Sequence, residues 1–210
     1  MKPYHETEHG VLYCGDCLEV MPTLEYHAID LCLTDPPFGI GNFVQTGGNV
    51  RGKAVEWNEN IPSIEIFNQI RRVTCNQIIW GANYFNCFDD NGGAIVWDKN
   101  QPMPNFSKAE IASCTFHKKV ELVNITWTNF VNDKVTDHPC ERPVSLYEWC
   151  LIKYSEPNRI IFDPFAGSGS VGIACIKQQN RYLLIEKEER YCEDIAKRIE
   201  SALQQTEIDL

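Results

Sequence analysis

"RIIFDPFAGSGSVGIACIKQQNRYLLIE", residues 159–186, has the pattern of a strand, a glycine-rich turn, a helix and a second strand. The first strand ends at Asp163, and Gly167 and Gly169 remove side chains where a ligand would approach the backbone. The helix that follows directs its free N–H groups to the same point. Glu186 comes 23 residues after Asp163, at the spacing of the acid that binds ribose hydroxyls in dinucleotide-binding folds. The stretch therefore predicts a site for a nucleoside-containing cofactor.

The same alternation of short apolar runs and amphipathic stretches extends along the chain and predicts a parallel α/β sheet. Seven runs are strand candidates: 11–14, 29–34, 77–81, 94–98, 122–127, 159–163 and 181–186. Four stretches are helix candidates: 62–73, 143–154, 168–179 and 188–204. No internal repeat or linker interrupts the pattern, so residues 1–210 are predicted to form a single domain.

A second informative stretch is "DLCLTDPPFGIG", residues 30–41, which begins as a buried strand and breaks at two prolines. Asp35 offers a carboxylate and Pro36 a carbonyl, whereas Pro37 has no N–H group and stiffens the turn. Acceptors without a competing donor suit a substrate that supplies its own N–H groups. Taken alone, the tetrapeptide fits equally well a strand-ending turn with Phe38 packed in the core.

Composition places the chain among globular proteins, with 43% hydrophobic and 23% charged residues. The N-terminal residues lack the apolar stretch of a secretory signal, and no window reaches the ~18 apolar residues of a membrane span. We therefore expect a cytoplasmic protein that makes no contact with a membrane.

The net charge of −10 argues against strong non-specific binding to nucleic acid. Most of the acidic excess lies at the ends of the chain, because residues 1–30 carry −5 and residues 186–210 carry −4. Residues 99–119, by contrast, carry +3. The middle of the chain could therefore present a basic face.

The ten cysteines lie mostly inside apolar runs, where a reduced thiol behaves as a small hydrophobe. The exception is "CGDC", in which Cys14 and Cys17 could form half of a zinc site or a redox pair. No second close pair completes a zinc site, and this pair ends a strand-like run instead of opening a helix. Neither chemistry is favoured, and we predict no metal site.

The order of the motifs resembles that of the β-type, permuted amino-methyltransferases, which modify adenine N6 or cytosine N4 in DNA. The matching stretches are "YCGDCLEVM" (13–21), "DPPF" (35–38), "IIWGANYF" (78–85) with "IVWDKN" (95–100), "HPCERPVSLYEWCL" (138–151) and "DPFAGSG" (163–169). This resemblance covers about residues 11–200 and is closest to small phage-like members. It implies a class I methyltransferase, Rossmann-like fold with a seven-stranded, mostly parallel sheet that contains one antiparallel strand. It also implies S-adenosylmethionine as the cofactor.

The resemblance implies particular cofactor contacts. Glu186 would bind the ribose hydroxyls, and Asp16 the adenine amino group. His138, Arg142 and Ser145 would lie near the amino-acid moiety, although Arg142 stands where the family usually has lysine. The full predicted set is Asp16, Leu18, Asp35, His138, Arg142, Ser145, Asp163, Pro164, Phe165, Ala166, Gly167, Ser168, Gly169 and Glu186.

For the reaction, the resemblance implies Asp35, Pro36, Pro37 and Phe38 as catalytic residues. Acceptors at Asp35 and Pro36 would hold the exocyclic NH2 group of a base, and Phe38 would stack on that base. The partner would be DNA, with the target base flipped out or already unpaired. Aspartate at the first position favours adenine N6, because cytosine-N4 members more often carry serine there.

Other classes stay open beside this prediction. A cytosine-N4 DNA methyltransferase, or an RNA or protein-amide N-methyltransferase, would use a similar strand tip. The last two classes usually place the glycine loop first in the chain. A non-enzymatic cofactor-binding protein, or a redox protein based on the CGDC motif, is a further alternative, which intact Asp35 and Glu186 disfavour. The sequence leaves open whether the protein is a monomer or a homodimer.

Two regions are candidates for substrate recognition. Residues 39–60 are too long for an ordinary connection and predict a mobile active-site loop, in which Trp57 could reach the flipped base. Residues 99–137 would form a reduced target-recognition region, where Lys118 and Lys119 either contact phosphates or belong to an ordinary solvated face. Asn83 and Tyr84 are weaker candidates for the same general role.

Overall fold

The computed structural model describes residues 2–40, 59–88, 92–101, 107–126, 136 and 138–208. In these ranges the strands are β1 (His5–Thr7), β2 (Gly10–Cys14), β3 (Ile29–Thr34), β4 (Thr74–Trp80), β5 (Gly93–Asp98), β6 (Ala109–Cys114), β7 (Val120–Asn124), β8 (Ile160–Asp163) and β9 (Arg181–Glu186). The α-helices are α1 (Cys17–Val20), α2 (Ile64–Val73), α3 (Ala82–Phe85), α4 (Val144–Tyr154), α5 (Ser170–Lys177) and α6 (Glu189–Ile208), and a 3-10 turn covers Met21–Thr23.

The strands form a single sheet in the order β1-β2-β9-β8-β3-β4-β6-β5-β7. All seven predicted strands are present and run parallel to one another. The expectation of seven strands with one antiparallel strand is wrong in its count, because the described sheet has nine strands and both additional strands run antiparallel. Strand β1 is a three-residue polar segment, and β6 ("AEIASC") consists largely of small residues with low β-propensity. Neither segment has the apolar pattern from which strands are predicted.

The predicted helices also occur, with shifted ends. Helix α5 is shorter than predicted, whereas α6 continues to Ile208. The predicted strand 122–127 begins two residues earlier, at Val120, and ends at Asn124. Such shifts are expected, because apolar periodicity locates an element more accurately than its ends.

Hydrophobic side chains lie on both faces of the sheet. In β3, Leu31 and Leu33 belong to one buried cluster, whereas Cys32 belongs to the other. Side chains from α4, α5 and α6 complete the first cluster, and side chains from α1 and α2 contribute to the second. Burial on both faces explains the continuous apolar runs of the central strands, which are typical of parallel sheets with two covered faces.

The topology brings three predicted site residues to one edge of the sheet. Strands β9, β8 and β3 are neighbours and run parallel, so their carboxyl ends meet. Glu186 ends β9, Asp163 ends β8, and Asp35 follows β3 directly. In open α/β sheets, ligands bind at this edge. Among the described helices, none combines the length and the apolar character needed to span a bilayer.

Candidate active site

A cavity of about 690 Å³ opens at the carboxyl edge of the parallel strands, which is within the usual size range of small-molecule sites. Its lining combines the tip of β3, the loop after β8 and the segment before α4. Predicted residues that line it are Asp16, Asp35, Pro36, Pro37, Phe38, Asn83, Tyr84, His138, Arg142, Asp163, Pro164, Phe165, Ala166, Gly167, Ser168 and Glu186. The structure therefore brings together the two motifs that the sequence separates by more than a hundred residues.

The loop after β8 is a tight turn that depends on two glycines. Gly167 and Gly169 have φ angles of +54° and +81°, in the left-handed region that side chains with a Cβ rarely adopt. A Cβ on Gly167 would lie 3.3 Å from the imidazole ring of His138. The N–H of Gly169 donates to the Ala166 carbonyl at 2.7 Å and closes the turn. Gly169 itself does not line the cavity and contributes through this turn.

Glu186 connects the tip of β9 to this loop. Its Oε2 accepts a hydrogen bond from the Gly167 N–H at 2.7 Å, and its Oε1 accepts one from the Glu188 N–H at 2.9 Å. Burial raises the pKa of Glu186, and the backbone donors oppose that rise. Each oxygen keeps a further lone pair, so the carboxylate can still accept hydrogen bonds from ribose hydroxyls.

Asp16 lies at the same end of the cavity, at the start of α1. Its Oδ1 accepts a hydrogen bond from the Leu18 N–H at 3.0 Å and so caps the helix. Its Oδ2 lies 3.3 Å from Lys187 Nζ. Leu18, which was predicted to pack near the adenine, packs at the edge of a hydrophobic cluster and is not part of the cavity lining.

The glycine loop is also held by Arg198 and Glu141, two residues that were not predicted from the sequence. Arg198, on α6, donates to the Ser168 carbonyl at 2.5 Å and lies 3.3 Å from the Glu141 carboxylate. Glu141 in turn accepts hydrogen bonds from the backbone and hydroxyl of Thr136. The last helix therefore ties the glycine loop to the segment that carries His138. No local motif reveals such a contact, because its partners lie far apart in the sequence.

Asp163 lies under the loop and between the two motifs. Its Oδ1 accepts hydrogen bonds from the Thr34 hydroxyl at 2.6 Å and from the Phe165 N–H at 3.1 Å. Burial raises the pKa of Asp163 to about 7, against the effect of these donors. Because Thr34 is the last residue of β3, this bond joins the tips of β3 and β8 directly.

At the other end of the cavity, the Asp35 carboxylate is held by Arg142. Arg142 Nε donates to Asp35 Oδ2 at 2.6 Å, and Nη2 donates to Oδ1 at 3.3 Å. Burial raises the pKa of Asp35, and the guanidinium opposes that rise. The sequence predicted Arg142 near the cofactor and did not predict this contact. A carboxylate has about four lone-pair positions, so two remain for the N–H groups of a substrate.

Phe38 was predicted to stack on a target base and lies at the mouth of the cavity. Its ring stacks on Tyr84, with centroids 4.7 Å apart and an interplanar angle of 15°. Gly81 lies directly against it, because a Cβ at that position would come within 2.2 Å of the ring. The spacing leaves no room for a base between Phe38 and Tyr84. A base that used this face of Phe38 would therefore require Tyr84 to move.

Some predicted residues lie away from the cavity. Ser145, in the first turn of α4, is not part of its lining, and Trp57 lies outside the described residues, as does most of the predicted loop 39–60. Residues that line the cavity without having been predicted include Lys99, Glu110, Tyr147 and Tyr191. Glu110 reaches the site because β6 runs antiparallel, so that this strand begins at the edge where its neighbours end.

The structure argues against Lys118 and Lys119 as phosphate contacts near the site. Both residues precede β7, which runs parallel to β5, so they lie at the amino edge of the parallel strands. A five-residue strand spans roughly 17 Å, and the cavity is at the opposite edge. Lys119 also forms an ion pair with Glu121 at 2.8 Å. Lys99, which contributes to the same positive segment, is buried beside Glu110.

The surroundings of Cys17 do not favour a reactive thiol in the CGDC motif. Cys14 and Cys17 are not linked by a disulfide, and burial raises the pKa of Cys17 to about 12. A thiol with that pKa stays protonated at neutral pH and is a poor nucleophile. Within the described ranges, no group of three or more candidate ligands forms a metal site.

Comparison with known proteins agrees with this geometry. The family model N6_N4_Mtase, described as DNA methylase, matches residues 117–198. The type II methyltransferase M2.MboI of Moraxella bovis is 27% identical over an alignment of 243 positions, which spans 92% of this chain and 89% of that protein.

Two solved structures share the fold of this chain. The complex of M1.HpyAVI with SAM has a TM-score of 0.62 at 21% identity and covers 89% of this chain and 98% of that one. The cytosine-N4-specific PvuII DNA methyltransferase has a TM-score of 0.64 at 16% identity and covers 97% and 94% of the two chains. The predicted resemblance to adenine-N6/cytosine-N4 amino-methyltransferases is confirmed, as is the class I methyltransferase fold. The predicted cofactor, S-adenosylmethionine, agrees with the description of the M1.HpyAVI structure as a complex with SAM.

Proposed function

We propose that this protein transfers a methyl group from S-adenosylmethionine to an exocyclic amino group of a DNA base, with adenine N6 favoured. One observation carries the proposal. The Asp35 carboxylate and the Gly167 turn line the same cavity, although 132 positions separate them in the sequence. A cofactor held by the turn would therefore face an amine held by the carboxylate.

The residues at the cofactor end fit the proposed ligand. Glu186 offers carboxylate oxygens for ribose hydroxyls, and Asp16 offers one for the adenine amino group. Gly167 leaves the backbone open to close approach, and Ser168 and His138 complete this part of the lining. When bound, S-adenosylmethionine would supply an electrophilic methyl group on a positively charged sulfur.

At the catalytic end, the protein prepares a weak nucleophile. The lone pair of an exocyclic amine is drawn into the ring of the base. Acceptance of its two N–H bonds by the Asp35 carboxylate and the Pro36 carbonyl would pull the nitrogen toward tetrahedral geometry and free the lone pair. Transfer would then be direct, with no covalent enzyme intermediate: the amine nitrogen would gain the methyl group as the methyl–sulfur bond breaks, leaving S-adenosylhomocysteine, and would then release one proton. Catalysis would depend on positioning and electrostatic stabilisation of the developing positive charge. We place the reaction in the cytoplasm, where DNA and reduced thiols coexist.

The choice of base depends on Asp35. Aspartate at the first position of the tetrapeptide supports adenine N6, and cytosine N4 is the second candidate because the PvuII enzyme, named as cytosine-N4-specific, shares the fold. We propose that the target base lies against Phe38 after it leaves the duplex, in the place that the Tyr84 ring occupies in this structure. The aromatic face would offset part of the lost stacking.

The test is methyl transfer from isotopically labelled S-adenosylmethionine to unmodified DNA, RNA and protein in parallel, followed by analysis of the hydrolysed products. We expect N6-methyladenine from DNA, and no product with Asp35→Ala. N4-methylcytosine would correct the base and leave the reaction class intact. Label found only in RNA or in protein amides would overturn the proposed substrate.

A further inference from the structure

Four charged side chains of alternating sign form a continuous chain beside the cavity: Asp35, Arg142, Glu110 and Lys99. Arg142 contacts Asp35 through Nε and Nη2, as described above. Its Nη1 donates to Glu110 Oε1 at 3.0 Å, and its Nη2 lies 2.8 Å from Glu110 Oε2. The same Glu110 Oε1 accepts a hydrogen bond from Lys99 Nζ.

All four groups are largely buried. The side chains of Lys99 and Glu110 expose 3% and 11% of their surface, and those of Arg142 and Asp35 expose 10% and 13%. Buried ion pairs of this kind are weak contributors to stability, since apolar replacements of similar volume are often no worse. The role of these four charged side chains is therefore better sought in the groups that they orient than in stability.

The ring of Trp97 lies beside both cations. Arg142 Cζ is 5.9 Å and Lys99 Nζ is 5.2 Å from its centroid, distances at which a cation and an aromatic face attract each other. Trp97 is fully buried, and its Nε1 donates to the Ile125 carbonyl at 2.9 Å. The Arg142 guanidinium thus lies against the buried Trp97 ring, and the carboxylates of Asp35 and Glu110 lie at its two edges.

We propose that Glu110 and Lys99 are positioning residues that hold the Arg142 guanidinium in the orientation in which it aims the Asp35 carboxylate into the cavity. Lys99 holds Glu110, and Glu110 holds the edge of the guanidinium formed by Nη1 and Nη2. The edge formed by Nε and Nη2 holds Asp35. This inference rests on the proposed function and adds two residues to it. Neither Glu110 nor Lys99 has to touch the cofactor or the base.

The pKa of Asp35 can distinguish a positioning role of Glu110 from an effect of its charge alone. Burial raises the pKa of Asp35, Arg142 and Lys99 oppose the rise, and the negative charge of Glu110 adds to it. Tyr147 and Asp163 also face Asp35 and stay unchanged in the variants below. If Glu110 acted only through its charge, its removal would make Asp35 easier to ionise. If it holds Arg142, its removal loosens the guanidinium and makes Asp35 harder to ionise.

The experiment measures kcat for DNA methylation against pH in the full chain, together with the Kd for S-adenosylmethionine. We expect Glu110→Ala to lower kcat roughly 10- to 100-fold, as misplaced reacting groups do. The acid limb of the pH profile should move to higher pH, because Asp35 must be ionised to accept N–H groups. The Kd for S-adenosylmethionine should stay within about threefold of the wild-type value, since Glu110 acts at the catalytic end.

A double-mutant cycle tests whether Glu110 acts through the guanidinium. Arg142→Lys keeps the charge but cannot fork between two carboxylates. In that background, Glu110→Ala should cost less than about twofold in kcat. Glu121→Ala is the matched control, because Glu121 lies on β7, separated from β6 by β5, in ion pairs with Lys119 and Lys153 and away from the cavity lining. It should leave kcat and the pH profile unchanged.

A shift of the acid limb to lower pH, an unchanged kcat or additive effects in the cycle would each overturn the proposal. If circular dichroism shows that Glu110→Ala does not fold, Glu110→Gln takes its place in the cycle, and the same non-additivity is expected. A wild-type chain that methylates no base overturns the proposed function. In that case, NMR titration of the Asp35 carboxyl in the same variants tests the positioning role. A higher pKa of Asp35 in Glu110→Ala supports it, and a lower pKa overturns it.

Discussion

The two loops that meet in the cavity are held in different ways. The loop after β8 is closed by its own backbone, where the Gly169 N–H donates to Ala166, and is held further by the Glu186 and Arg198 side chains. The tip of β3 presents Asp35, whose carboxylate is held by the side chain of Arg142, 107 positions further along the chain. The cofactor end should therefore be insensitive to changes in Glu110 and Lys99, which contact Arg142, and the catalytic end should depend on them.

The largest effect should come from Asp35→Ala, which removes the acceptor at the catalytic end alone. We expect methyl transfer to fall at least about 10³-fold, because both N–H acceptance and charge stabilisation are lost. Affinity for S-adenosylmethionine, measured by calorimetry, should stay within several-fold. A collapse of cofactor affinity would show that the two loops are not independent.

Gly167→Ala makes the opposite change and should weaken the cofactor end alone. The left-handed φ of +54° costs a residue with a Cβ about 1–2 kcal/mol, and the added atom would lie 3.3 Å from His138. We expect the Kd for S-adenosylmethionine to rise roughly tenfold, with kcat at saturating cofactor changed much less. Wild-type cofactor affinity in this variant would contradict the role of the turn.

Asp163 joins the two loops, and its effect should depend on pH. Because burial raises its pKa to about 7, the folded chain binds more protons at this group than the unfolded chain between about pH 4 and pH 7. Its contribution therefore makes the folded state less stable as pH rises through that range. Asp163→Asn abolishes this contribution, so the stability of the variant relative to wild type should increase from about pH 4 to pH 7 and then level off. Denaturant unfolding at several pH values measures this difference, and a difference independent of pH would contradict the raised pKa.

The smallest effect should come from reversing the charges of Lys118 and Lys119, which lie at the far edge of the sheet. We expect the double change to glutamate to alter the Kd for a DNA duplex by less than about twofold, measured by fluorescence anisotropy at fixed salt. Lys108→Glu is the matched comparison, because Lys108 precedes β6 at the cavity edge. It should weaken binding more than the double change does, and the reverse ranking would place the DNA on the other edge.

The same contrast explains how much could be predicted from the sequence. The parallel strands and the glycine loop follow from local patterns, as do the positions of Asp35, Asp163 and Glu186 at strand ends. The partner of Asp35 could not be predicted, because Arg142 reaches it only after two remote segments pack together. Glu110 was missed for another reason. Its strand, β6, lacks an apolar pattern, and the position of Glu110 in the cavity depends on the antiparallel direction of that strand.

The reversed direction of β6 has a consequence for how such a small scaffold could acquire new specificity. Asp98 ends β5 and Ala109 begins β6, and they are paired in the sheet at the edge that carries the cavity. A longer excursion of the chain at this point would emerge beside the cavity mouth and leave every strand in register. The same insertion before Val120 would emerge on the far side, out of reach of the target. The connection between β5 and β6 is thus the position at which an inserted segment that recognises the base sequence would lie next to the cavity.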